Sequence, residues 1–247
     1  MCYAYKPVVD PASGKIYRID NKEYCKLERE GKIKSSPDGD YFCRSEVPVI
    51  LSRSGDLIVL PMRWDLIPRD YQSEYPELPL ADLIKRKNSK KTGFEAWNSR
   101  AETIRTKSSF RLPWQEGRRA VIATMGFRER PNMDGAPNIG KEYRIDLDDI
   151  YLFGCLHETL IRKEGLLDSV TVITHDSMGH MVRDRIYHDR LPLLLTYSQA
   201  DEWLDPKTSP ERAFEMIQQL DGSHMVITEI IKEKKIKSGD SEKLSLF

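Results

Sequence analysis

The chain has 247 residues, 39% of them hydrophobic and 32% charged, which suits one large domain or two small ones of a polar globular protein. Lys and Arg number 39 against 39 Asp and Glu, so net charge points to no class of partner and only local charge can. No apolar run approaches a membrane span and no signal-peptide core opens the chain, which predicts a cytoplasmic protein without a membrane partner. The four cysteines, Cys2, Cys25, Cys43 and Cys155, are scattered without a CxxC pair. That spacing argues against a zinc site or a disulfide framework, and no metal or cofactor is expected.

In chain order, Cys2 comes first. Once the initiator Met is trimmed it carries two nucleophiles on adjacent carbons, an α-amine of pKa about 7.7–8.0 and a thiol near about 8.5. One aldehyde can react with both: the amine forms an imine and the thiolate closes a five-membered thiazolidine. Tyr3 to Val9 reads as a short strand burying the chain start, and Lys22 to Arg29 as a short helix. Val47–Leu51 and Leu57–Leu60 flank Ser54-Gly55-Asp56 and read as a hairpin. Residues 62–68 form an aromatic strand end, and Tyr71 to Leu80, with two prolines, reads as a loop.

Residues 85–119 carry eleven Lys and Arg against Glu95, Glu102 and Glu116, interleaved with Phe94, Trp97, Phe110 and Trp114. Basic residues with aromatics suit single-stranded nucleic acid, where phosphates are neutralised and each base stacks for roughly 1–3 kcal/mol. The ordinary alternative is a solvated charged face over core aromatics. Beyond it, Ala120–Ala123 leads into Met125–Arg130, residues 131–140 loop, and strands follow at Tyr143–Ile145, Ile150–Leu156 and Val170–Thr174. His175 to Tyr187 is irregular. Ser198–Leu204 and Ser209–Leu220 read as helices, each opened by a capping Ser, and Met225–Ile231 as a last strand. The strands lack a βαβ rhythm, which predicts an α+β fold around a curved, barrel-like mixed or antiparallel sheet with peripheral helices. One domain is expected over residues 1–231, with a charged tail over 232–247.

Five segments in this order resemble the SOS-response-associated peptidase (SRAP) family of abasic-site-processing proteins. Met1-Cys2 matches its start, and Arg63-Trp64-Asp65-Leu66-Ile67-Pro68 is similar to its RWGLIP segment. Asn98-Ser99-Arg100-Ala101-Glu102-Thr103 is similar to NARAET, Gly126-Phe127-Arg128-Glu129 to GFYE, and His188-Asp189-Arg190-Leu191-Pro192 to HDRMP. The resemblance implies a barrel-like α+β fold with the N-terminus in a cleft for single-stranded DNA. It also implies covalent capture of the aldehyde of an abasic site by Cys2. A monomer is expected, nucleoid-associated through its DNA.

The family's catalytic Asn, Glu and His fall on Asn98, Glu129 and His188. A shielded carboxylate with a raised pKa can shuttle the protons that imine formation requires, which suits Glu129. His188 is expected to titrate near neutrality as a second acid or base, and Asn98 to orient the Cys2 amine or the sugar hydroxyls. Arg100 and Arg105 are the expected phosphate contacts, Tyr71 the available base wedge, and Thr174 a residue lining the pocket. The other histidines read as structural; His175 and His180 are five apart, unlike a helical metal pair.

The departures from the family pattern are specific. Tyr3-Ala4 replaces Gly-Arg after Cys2, with the loss of one phosphate contact. Asp65 replaces a Gly, Arg130 a Trp, and His157 stands where Trp is usual. An insertion lies between Pro68 and Asn98. Two other readings stay open on sequence alone: a cysteine peptidase or N-terminal-nucleophile hydrolase with Cys2 and His188 as nucleophile and base, and a non-catalytic single-strand binder using residues 85–119.

Overall fold

The computed structural model of the chain describes residues 2–5, 15–33, 39–90, 93–218 and 225–231. In chain order these hold β1 (Ala4–Tyr5), β2 (Lys15–Ile16), β3 (Ile19–Asp20), α1 (Asn21–Arg29), β4 (Tyr41–Phe42), β5 (Glu46–Arg53) and β6 (Asp56–Trp64). Next come α2 (Arg69–Glu74), α3 (Leu80–Lys87), β7 (Asn98–Arg100), α4 (Ser108–Gln115), β8 (Arg119–Glu129), β9 (Tyr143–Arg162) and β10 (Gly165–Asp176). The remainder is α5 (Met181–Ile186), β11 (Arg190–Pro192), β12 (Leu194–Leu195), α6 (Tyr197–Leu204), α7 (Pro210–Gln218) and β13 (Met225–Glu229). The expected strand beyond Tyr5, the end of the last helix and the 232–247 tail lie outside the described residues.

Among the described residues, eleven strands form one mixed sheet that closes on itself. β8 pairs with β9, β9 with β10, β10 with β6 in parallel, β6 with β5, and β5 returns to β8 at Ile50–Val121. This ring is the curved, barrel-like sheet expected from the strand-rich, βαβ-poor sequence, and closure removes exposed strand edges. The predicted hairpin forms β5 and β6, turning at Ser54 and Gly55, both with left-handed φ of 54° and 89°; such turns match the twist of the strands they join.

Two strands predicted at Tyr143 and Ile150 are one, β9. Its register on β8 jumps from Asp146–Gly126 to Tyr151–Thr124, so the exposed Asp148-Asp149 pair rides on a bulge and interrupts the apolar pattern without ending the strand. Gly126 is required there, because a Cβ would stand 2.5 Å from the Ile145 carbonyl oxygen. The predicted loop over 71–80 is also corrected. Pro76 follows the end of α2 and Pro79 caps α3, so the prolines bound helices and only 75–79 connects them. The irregular segment before His188 contains α5, whose Val182 N–H is capped by the His180 ring at 3.1 Å. Thr196, not Ser198, caps α6 in a capping box with Gln199; Ser209 caps α7 as expected, accepting from Arg212 N–H at 3.1 Å.

Candidate active site

The chain start is held in the sheet. β1 lies between β8 and β4, with Ala4 opposite Arg128 and Phe42, and Tyr5 opposite Phe127 and Tyr41. The buried Tyr5 ring packs on Tyr41, Trp64 and Phe153 at centroid distances of 5.5, 5.6 and 5.8 Å, contacts each worth about 0.5–1.5 kcal/mol beyond area burial. Anchored two residues downstream, Cys2 is fully buried. Its carbonyl accepts the Asn98 Nδ2–H at 2.8 Å. Its thiol points to the Ala4 carbonyl, Sγ to oxygen 3.7 Å. Burial, and after it the charge of Glu129, push the thiol well above its usual range.

Glu129 ends β8 and is fully buried. Burial raises its carboxyl to about 7, against the downward pull of the chain's terminal ammonium. Its Oε2 lies 3.3 Å from His188 Nε2. The other ring nitrogen, Nδ1, stands 2.6 Å from the Arg130 carbonyl oxygen. A carbonyl only accepts, so Nδ1 carries a hydrogen. Burial, followed by the terminal ammonium, pushes the imidazole down to about 4, so the ring is neutral at pH 7 and Nε2 is bare. A proton between Nε2 and Oε2 then belongs to the carboxyl. The expectation that His188 titrates near neutrality is therefore corrected: buried away from water, the imidazole stays neutral and Glu129 is the group that titrates there.

Asn98 opens β7, aligned with Val172 of β10 by parallel pairing. Its Oδ1 is buried and has no hydrogen-bond partner among the described residues, an acceptor available to a ligand. Arg190 joins the two flanking motifs, donating to both Glu102 oxygens at 2.8 and 2.9 Å and to the Thr174 carbonyl at 2.6 Å. Thr174 is buried, its hydroxyl 3.4 Å from the Ser99 carbonyl. Asp189 and Asn132 bond reciprocally at 2.6 and 3.0 Å. Ser177 Oγ donates to the His188 carbonyl at 2.6 Å. Asn132, Ser177 and the Arg130 carbonyl escaped the sequence reading, since none carries a spacing signal and one is backbone.

Other expected contacts stand apart from this cluster. Tyr71 is 9% exposed and packs in a separate group with Ile67, Leu83 and Leu160, its ring 5.1 Å from Tyr75 and 5.2 Å from Phe94; it also lines a 320 Å³ cavity with Asp70, Glu74 and Ser108. Arg100 is exposed, opposite Thr174 in register. Arg105 lies 4.2 Å over the Phe214 ring of α7.

The 85–119 stretch does not form one stacking surface. Phe110 and Trp114 are 2% and 3% exposed. Arg119 is buried, donating to the carbonyls of Trp203, Asp205 and Thr208. Lys87, in the insertion, is buried against Asp65. The departure at Asp65 and the insertion thus explain each other: each buries the other's counter-charge.

The family described as SOS response associated peptidase (SRAP) matches residues 15–235 of the chain. The abasic site processing protein YoqW of Bacillus subtilis is 31% identical over 166 residues, 66% of this chain and 65% of its own length. The abasic site processing protein HMCES of Rattus norvegicus is 26% identical over 243 residues, 79% of this chain and 64% of its own. The chain thus spans just under two-thirds of either relative. A crystal structure of a Bordetella bronchiseptica protein aligns at a TM-score of 0.64 and 16% identity, covering 94% of this chain and 100% of that one. One from Bacteroides thetaiotaomicron aligns at 0.63 and 20%, covering 93% and 92%. At those identities the likeness is one of fold.

Proposed function

The chain belongs to the SOS response associated peptidase family, and from that membership and its buried N-terminal cluster we propose that it captures abasic sites in single-stranded DNA covalently, through Cys2. Removal of Met1 frees the Cys2 amine, which adds to the open-chain sugar aldehyde to give a carbinolamine. Loss of water leaves an imine. The thiol adds across the C=N bond, its sulfur to carbon and its proton to nitrogen, closing a thiazolidine. Aldehyde and aminothiol give crosslink and one water. Should the imine lose a C2 proton before the thiol closes, strand cleavage follows, an associated lyase outcome.

Glu129, with a carboxyl raised to about 7, donates a proton to the departing hydroxyl and then, as carboxylate, accepts one from the thiol. That second step matters because the thiol is pushed up and does not ionise unaided. His188 keeps the carboxyl proton in place through its bare Nε2, and Asn98 fixes the residue that carries both nucleophiles. Thr174 lines the pocket and the exposed Arg100 and Arg105 meet the flanking strand, whereas Tyr71 stays packed against Tyr75 and Phe94. The observation that carries the reading is the Asn98–Cys2 hydrogen bond of 2.8 Å beside a carboxyl that titrates at neutral pH.

The peptidase alternative needs a thiolate–imidazole pair. Here both imidazole nitrogens face other groups, the Arg130 carbonyl and Glu129, which favours amine-led chemistry. The test is a single-stranded oligonucleotide with one abasic site, run on a denaturing gel. The wild type, confirmed by intact mass to lack Met1, leaves a retarded band that Cys2→Ala abolishes. A band that persists in Cys2→Ala but disappears on mutating a lysine would overturn the assignment.

A further inference from the structure

We infer that Arg130 is a positioning residue for the captured strand, its guanidinium gripping the phosphate beside the abasic sugar; this rests on the proposed capture chemistry. Arg130 follows Glu129 in the chain, and its carbonyl holds His188 Nδ1 at 2.6 Å. Glu129 and His188 have no exposure, whereas the Arg130 side chain is 55% exposed. It therefore reaches the surface one residue along the chain from the buried cluster.

The side chain is also oriented. Its guanidinium carbon lies 4.7 Å from the centroid of the Tyr3 ring, and Tyr3 is the residue after Cys2. Nη2 donates to Glu142 at 3.1 Å. Glu142 is itself buried and shared with Arg128, which also pairs with Asp40. A guanidinium has five donors in a planar fork. With one edge turned to Glu142 and one face on Tyr3, the rest meets solvent in the geometry that suits a phosphate.

Two departures from the family pattern fit this role together. Ala4 is buried in β1 and has no charge to offer where the family carries Arg. Arg130 restores a cation from the neighbouring strand end, where the family carries Trp.

Two measurements separate this proposal from the capture chemistry. In a Cys2→Ala background, which cannot crosslink, fluorescence anisotropy follows binding of the abasic oligonucleotide across salt concentrations, with and without Arg130→Ala. We expect affinity to fall about tenfold, and the slope of log affinity against log salt to shrink by about 0.7, the value for one single-strand phosphate. Arg130→Lys restores the slope but only part of the affinity. With Cys2 intact, Arg130→Ala raises the half-saturating oligonucleotide concentration about tenfold while the plateau rate of adduct formation moves less. An unchanged slope and half-saturation overturn the proposal. So does a lower plateau rate at unchanged half-saturation, which would mark an effect on His188 instead. A changed slope without any adduct in the wild type would leave Arg130 a phosphate contact and sink the capture chemistry alone.

Discussion

Asp65 and Glu129 are both carboxylates with no exposure, held in opposite ways. Asp65 Oδ1 accepts from the buried Lys87 Nζ at 2.5 Å and from Ala96 N–H at 3.0 Å, and Lys87 donates further to the Phe94 carbonyl at 3.1 Å. Burial lowers the Lys87 ammonium pKa while the Asp65 charge pulls it back up. Each ion answers the other, and the pair clamps the 80–97 segment to the end of β6. Glu129 faces a neutral imidazole instead, and its desolvation emerges as a hold on a proton near pH 7. Equal burial gives structure where a buried ammonium answers the carboxylate, and a hold on a proton where desolvation outweighs the pull of the terminal ammonium.

The contrast can be broken at either end. The largest effect is expected from Glu129→Gln, which keeps the shape and removes the titration: adduct formation should slow by about 10²–10⁴-fold, read as a single-turnover rate on a denaturing gel. The same variant sharpens the comparison through stability. The folded pKa of Glu129 is raised, so its stabilising contribution is complete below its usual 4.5 and is lost as pH rises through about 7. Glu129→Gln should therefore gain on the wild type over that window, by up to about 1.4 kcal/mol per pH unit. Denaturant melts at pH 5 and pH 8 check this, and a constant difference would mean that the carboxyl is not held protonated.

Lys87→Met attacks the other carboxylate. Leaving Asp65 buried with only the more distant Arg63 guanidinium, at 3.6 Å, should cost up to about 3–5 kcal/mol of stability, and the double variant with Asp65→Leu should recover most of it. Chemical denaturation reads both; a single variant within about 0.5 kcal/mol of wild type would show that the pair is not a structural clamp. The smallest effect is expected from Asn98→Ala. It loses one hydrogen bond to the Cys2 carbonyl, worth about 1 kcal/mol, so the melting midpoint should fall by about 2–4 °C and the adduct rate should drop about fivefold.

The identity of the cluster was legible because its members lie in short ordered segments: Cys2, Asn98, Glu129 and His188 each carry a motif. So was the hairpin at Ser54-Gly55, where chain conformation is local. The helices α2 and α3 were hidden by prolines that bound helices as readily as loops, and β9 was split by a bulge whose cause, the register on β8, is set by another strand.

What the sequence determined by itself is the inventory: a strand-rich α+β chain with a cysteine at position 2 and an amide, a carboxyl and an imidazole following in family order. Only the tertiary structure decided the charge states, because a pKa depends on what displaces water and which charges stand near. Burial left His188 neutral and made Glu129 the titrating group. It turned Phe110, Trp114 and Arg119 of the basic stretch inward and matched Lys87 with Asp65 across 22 residues. Such outcomes belong to contacts between distant segments, and no local pattern encodes them.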